Sequence, residues 1–276
     1  MRSSDMLIIE PGVTERHYWR ELWRYRELFI VLAWRDISVR YKQTVIGLAW
    51  ALIQPLATLV VFTIIFGSIA KLPSEGSAPY ALMVFAGLLP WQLFASSLTG
   101  ASGSLVGNAN LISKVYFPRL IVPVATVAVS FVDFLISLVI LAGLMAWYQF
   151  LPGWEVLTLP FFLLMAFLAS LGPGLWLTAL NVKYRDFRYV IPFVVQFGLY
   201  VSPVGFSSAA IPDEWRLWYS LNPLVGVVDG FRWAILGGQS QLFLPGFALS
   251  WAAIAAFLWL GIRRFRKMEK SFADLI

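Results

Sequence analysis

Few side chains in this 276-residue chain could do covalent chemistry. It has no cysteine, which removes thiolate nucleophiles, disulfides and Cys-ligated metals. A lone histidine, His17, leaves little imidazole–metal chemistry. The adjacent acids Asp213-Glu214 point in different directions on a helix, so they suit a helix start before Trp215 better than acid–base work. No G-x-x-x-x-G-K-[ST] phosphate loop and no Gly-rich dinucleotide fingerprint occur. Asp133 is the one acid inside a long apolar run. There a carboxylate costs about 2.5–3.5 kcal/mol on insertion scales, so it needs a partner or water. One acid without relay partners argues for a hydrogen-bonded structural role over a proton pump. Any driving energy must come from another chain.

The solvent around those residues follows from composition. Apolar residues make up 59% of the chain and charged residues 13%, against roughly 45–50% and about 25% in a soluble domain. The prediction is an all-α polytopic membrane protein, with soluble enzymes and nucleic-acid-binding domains excluded as whole-chain readings. Six apolar runs, at 45–70, 81–104, 120–147, 156–180, 190–211 and 245–262, match the roughly 20 residues a spanning helix needs. Between the last two, 212–244 is apolar but broken by Pro212, Asn222-Pro223, Asp229-Gly230 and Gly237-Gly238. Its pieces are too short to span and predict re-entrant half-helices.

Charge sets the orientation. With six spans and both termini cytoplasmic, eighteen of the 21 lysines and arginines lie on one side, as the positive-inside rule requires. Only Lys71, Arg216 and Arg232 lie opposite. The net charge of +6 is therefore read as loop and lipid-contact charge, not as a nucleic-acid footprint. One domain, 1–276, is expected: a cytoplasmic segment 1–44, five spans over 45–211, the broken stretch, the sixth span at 245–262 and a tail at 263–276. Over 18–34, tryptophans and Arg/Glu interleave at helical spacing, which predicts an amphipathic helix in the headgroup plane. Packing on a soluble partner is the other reading.

Two cytoplasmic connections stand out. Asn108 through Arg119 is a short amphipathic segment stopped by Pro118, of a kind that inserts apolar anchors into a partner's groove. Asn181 through Arg188 is compact and charged, and an ordinary positive-inside turn explains it equally well.

Four blocks together carry a resemblance. They are Arg35-Asp36 with Arg40-Tyr41-Lys42-Gln43-Thr44, Gly47, Trp50 and Pro55; Lys114 through Arg119; Asn181 through Asp186 with Pro192, Gln196, Tyr200 and Ser202-Pro203-Val204; and Asn222-Pro223 with Phe231-Arg232. In order and placement the chain resembles the permeases of polysaccharide-exporting ABC transporters over nearly its whole length. The resemblance implies a homodimer in the bacterial inner membrane, working with two copies of a separate nucleotide-binding ATPase. That partner would bind ATP and Mg; this chain would carry no cofactor, no metal and no catalytic residue. Residues 108–118 would be the coupling helix, with Asn108, Leu111, Lys114, Tyr116, Phe117 and Arg119 as contacts and Arg185 and Asp186 in a second, shorter one. The helix at 18–34 would be a cytoplasmic gate. Lipid-linked O antigen is the foremost cargo; capsule, teichoic acid or a non-glycan lipid or drug are alternatives, and a membrane glycosyltransferase is a weaker one.

Sugar chains have apolar C–H faces, so aromatic rings are natural channel linings. Candidates are Trp50, Phe62 and Phe66 on the first span and Phe193, Phe197 and Tyr200 on the fifth, although lipid-facing and interfacial aromatics read the same way. Trp19, Trp23 and Tyr41 belong nearer the cytoplasmic mouth. Arg35, Arg40 and Lys42 are candidates for the carrier lipid's pyrophosphate, since guanidinium forks bind phosphate bidentately; binding of bulk anionic lipid is the alternative.

Overall fold

A computed structural model describes residues 18–42 and 47–272. His17, Gln43, Thr44 and the chain ends lie outside them. Eleven α-helices cover most of the described residues, and no strand occurs among them: α1 Tyr18–Arg24, α2 Arg26–Lys42, α3 Gly47–Phe62, α4 Tyr80–Gly107, α5 Ala109–Lys114, α6 Ile121–Trp147, α7 Leu159–Lys183, α8 Phe187–Val201, α9 Asp213–Tyr219, α10 Pro223–Ile235 and α11 Leu244–Glu269. A π-helical stretch, Thr63–Ile69, extends α3.

Five helices are long and apolar enough to cross a membrane: Ala49–Ile69, Tyr80–Gly107, Ile121–Trp147, Trp154–Lys183 and Leu244–Glu269. Each falls on an expected run. α4 is the hub; in its most apolar window 78% of residues are buried, against 17% for α3 and 22% for α11. It packs on α6, α7, α8 and α10. The small residues at 100–104 explain part of this closeness. Thr178 of α7 donates to the Ala101 carbonyl (2.8 Å) and Asn181 to that of Ser102 (2.9 Å), while a Cβ on Gly100 would come within 2.8 Å of Thr126. Gly103 and Gly107 have open space instead. The tightest crossing joins α7 and α11, where a Cβ on Gly261 would collide with the Gly172 carbonyl.

The expected span at 190–211 is not one continuous helix. α8 has 15 residues, about 22 Å at 1.5 Å per residue, short of the roughly 30 Å hydrocarbon core. It stops because Pro203 restricts the residue before it, and Ser202 is extended. The broken stretch folds as expected into two helices too short to span, α9 and α10. Asn222 caps α10 by accepting from the Leu224 N–H (3.0 Å), with Pro223 at the first position.

The segment expected as one interfacial helix over 18–34 is two helices broken at Tyr25, and the second runs on to Lys42. Its apolar residues are not confined to one stripe: Leu32 and Ala33 are buried, while Ile30, Val31 and Trp34 are exposed. Leu32 and Ala33 join the core cluster around Leu120 to Ala125, and Arg40 and Tyr41 reach Asp133. So α2 climbs alongside α6. It is a packed helix with a greasy outer face.

Candidate functional site

The helices α3, α4, α6 and α8 border an open cavity of about 710 Å³. α3 presents Trp50, Gln54 and Thr58, spaced four apart and hence on one face. α4 adds Trp91 and Gln92, α6 adds Ser130 and Asp133, and α8 adds Gln196. Trp91 can form a wall because residue 198 is glycine; a Cβ there would lie 2.8 Å from the indole.

Asp133 lies on the cavity wall. It is twelve residues beyond Ile121, roughly 18 Å along the axis, so its carboxylate would be stranded without help. The help comes from α2. Arg40 Nη2 is 2.7 Å from Asp133 Oδ2, and the Tyr41 hydroxyl donates to Oδ1. Asp133 is thus hydrogen-bonded and paired, its partners being Arg40, a headgroup candidate, and Tyr41, a candidate for the cytoplasmic mouth. Arg35, another headgroup candidate, is also engaged. It donates to Asp36 Oδ1 (2.9 and 2.7 Å) and to Asn108 Oδ1 (2.8 Å). Lys42, Trp19 and Trp23 are exposed, with Arg26 over the Trp23 ring at 5.9 Å.

The six aromatic candidates separate. Only Trp50 reaches the cavity. Phe193, Phe197 and Tyr200 form an exposed stripe on α8, the two phenylalanines stacked at 6.2 Å. Phe62 is buried beneath Tyr200, the rings near-parallel at 6.5 Å, and Phe66 is half-buried beside it at 5.2 Å. Phe62 presents no surface because Gly205 leaves room for its ring to pack inward.

The coupling candidates divide by burial. Lys114 and Tyr116 are exposed, and Leu111 is half-buried. Phe117 is 3% exposed and joins Ile112, Leu120 and Phe265 in a cytoplasmic core. Arg119 turns inward: its N–H donates to Glu269 Oε1 (2.8 Å) and its guanidinium to the Glu269 carbonyl. The exposed face is thus Ser113 through Tyr116, on a base tied to α2 through Asn108 and to α11 through Arg119. Arg185 and Asp186 are exposed, and Arg185 and Arg188 line a second hollow of about 450 Å³ with Gly103 and Val106.

Arg232 is a residue whose weight the sequence did not reveal. It is fully buried, donating to the carbonyls of Val204 and Phe206 (both 2.8 Å) and Met83 (3.3 Å), with Glu75 at 3.4 Å. Tyr80 donates to the Gly205 carbonyl (2.5 Å) and Tyr219 to that of Val201 (2.8 Å). Burial holds the Tyr219 hydroxyl well above its ordinary pKa, so it stays a donor. Irregular backbone survives away from water only where its polar groups are met like this. The block Phe231-Arg232 singled the residue out, and nothing in it named carbonyls 26, 28 and 149 residues away.

A multi-pass helical membrane protein without a phosphate loop, with a polar cavity between its spans and a short exposed element at one end, belongs to the transport permeases. The chain belongs to the ABC-2 type transporter family, whose pattern it matches over residues 27–236. It is 27% identical to the O-antigen export system permease protein RfbA of Myxococcus xanthus, over 93% of this chain and 98% of that one. A Klebsiella pneumoniae protein of the same name is 26% identical, over 91% and 95%. The polysialic acid transport protein KpsM of Escherichia coli is 26% identical, over 86% and 92%.

Proposed function

We propose that this chain is the membrane-crossing subunit of an ATP-driven exporter of lipid-linked polysaccharide in the bacterial inner membrane, O antigen being the foremost cargo. It would act as a homodimer bound to two copies of a separate ATPase, which binds ATP with Mg. The observation that carries this reading is similarity, over more than nine-tenths of the chain, to permeases named for O-antigen export. The five long helices and α8 would make six crossings, α8 continued by the turn at 202–206, three of whose carbonyls Arg232 and Tyr80 hold. The lysine and arginine distribution supports cytoplasmic termini, with α9 and α10 on the far side.

The ATPase would dock on Ser113 through Tyr116, with Arg185 and Asp186 as a second contact. Force applied there would pass through Phe117 and Ile112 into the cytoplasmic core, and through Asn108 and Arg35 into α2. The far end of α2 holds Asp133 beside the cavity. Nucleotide closure would thus be felt where the glycan passes. The exposed stripe Phe193, Phe197 and Tyr200 would line the axis between two copies.

The test is a deletion strain. Surface polysaccharide should vanish, with glycan accumulating inside the cell. The wild-type chain should restore it, and a Lys114→Glu, Tyr116→Ala double variant should not. Surface polysaccharide persisting in the deletion strain overturns the reading.

A further inference from the structure

The last spanning helix, α11, is fastened at both ends to parts of the molecule that an ATP-driven cycle must move. At one end, Glu269 Oε1 accepts from the Arg119 backbone N–H (2.8 Å), and the Arg119 guanidinium donates to the Glu269 carbonyl. The exchange is reciprocal. A carboxylate stands just ahead of the first turn of α6 and a guanidinium at the end of α11, each where the helix dipole favours its charge. The Tyr18 hydroxyl of α1 donates to the same Oε1 (3.3 Å), with Arg266 over its ring at 4.6 Å. Just beyond α11, Phe272 is fully buried against Phe265, in the core that holds Phe117 and Ile112. The end of α11 is therefore built into the base of the docking segment.

At the other end, the fully buried Ser250 hydroxyl accepts from the Gly226 N–H of α10 (3.2 Å) and donates to the Ser220 carbonyl that closes α9 (3.0 Å). This joint has no slack. A Cβ on Gly226 would lie 2.7 Å from that of Ser250, and one on Gly246 would lie 2.3 Å from the Ser220 hydroxyl. Ser250 and Glu269 stand roughly 28 Å apart along the axis at 1.5 Å per residue, and the helix between them is unbroken. α3, α4 and α7 carry interior prolines, Pro55, Pro90 and Pro173, where a helix bends; the proline of α11 is confined to its first turn. A stiff helix hydrogen-bonded to other elements at both ends is the kind of part that carries coupling between distant sites. We propose that α11 is a transmission rod that carries movement of the docking segment to α9 and α10 on the far side, with Glu269 and Ser250 as the positioning residues at its ends. The proposal rests on the ATP-driven export reading and adds the route by which nucleotide closure crosses the membrane.

The experiment uses the permease–ATPase complex in lipid nanodiscs. The chain has no cysteine, so Trp218→Cys, on the exposed side of α9, gives one site for an environment-sensitive fluorophore; the complex without it supplies the background. Trapping the ATPase with ATP and vanadate should shift the emission of the label. Glu269→Ala removes the acceptor for Arg119 and Tyr18, and Ser250→Ala removes the bonds to α9 and α10. Each should abolish the shift, and export in the deletion strain, while ATPase co-purification and ATP hydrolysis continue. Glu269→Gln keeps an acceptor oxygen and should restore the shift. Ala255→Gly with Ala256→Gly loosens the helix on its exposed side and touches neither joint; it should reduce the shift, and it decides the matter should an end variant fail to fold. A full shift in the folded alanine variants or in the glycine variant overturns the rod, as does an unmoved label in a wild-type complex that exports glycan. In those cases the export reading stands. If the deletion strain keeps its surface glycan, the export reading itself has failed.

Discussion

Two arginines enter the apolar body of this protein, and they do opposite things. Arg232 is fully buried, shares its donors among three backbone carbonyls and Glu75, and lines neither of the two hollows described above. Arg40 is about half-exposed, pairs with Asp133 at 2.7 Å and borders the largest hollow described in the molecule. Arg232 is a structural clamp. It holds the Val204 and Phe206 carbonyls of the turn that follows α8. Arg40 is a neutralised charge at the edge of a space open to other molecules. The difference teaches that a guanidinium in a bilayer takes its role from what its donors must satisfy: backbone in one case, a carboxylate beside a cavity in the other.

The comparison breaks first at the clamp. Arg232→Gln should cost about 3–5 kcal/mol, because it leaves Glu75 and at least two carbonyls unpaired in a closed space. The readout is loss of folded protein from membranes and a sharply lower melting temperature in detergent. Folded yield equal to wild type would remove the clamp. Next comes Phe117→Ala, at about 3–5 kcal/mol for an aromatic ring cut from a core. Measured beside Tyr116→Ala, it asks whether adjacent residues in the coupling segment divide into base and surface as their burial says. Arg40→Gln should shift stability by only about 1 kcal/mol, since a half-exposed pair contributes little, while export falls; pulse-labelled surface glycan checks the second part. The smallest effect on folding belongs to Lys114→Ala, within about 0.5 kcal/mol of wild type. Its loss should be confined to ATPase co-purification and export.

Much of this was legible in the residues. Long apolar runs mark five spanning helices within a few residues, because a bilayer-crossing helix must satisfy its backbone internally and its side chains must suit lipid. Pro212, Asn222-Pro223 and Gly237-Gly238 likewise signalled helices too short to cross, and the two glycines do adopt positive φ, 65° and 74°. Asn108 through Arg119 read as one amphipathic segment, and that its exposed part is Ser113 through Tyr116, with Phe117 turned inward, came only from packing. Phe62 did not read correctly. Its i,i+4 relation to Phe66 says they share a face, but not whether that face meets Tyr200 and Gly205 or open space. Nor did the sequence show that 18–34 is two helices broken at Tyr25 with the second packed on α6, since tryptophans and arginines at helical spacing suit both a headgroup plane and the flank of a neighbouring helix.

The sequence by itself determined that the chain lives in a membrane and has neither a phosphate-loop motif nor a cysteine, because those follow from which side chains are present. Only the tertiary structure decided that Asp133 meets Arg40 and Tyr41, that Arg232 holds the carbonyls beyond α8, and that three glutamines from three helices share one cavity. Such pairings join residues tens of positions apart. Helix periodicity sets the face a residue occupies, whereas packing sets which face it meets.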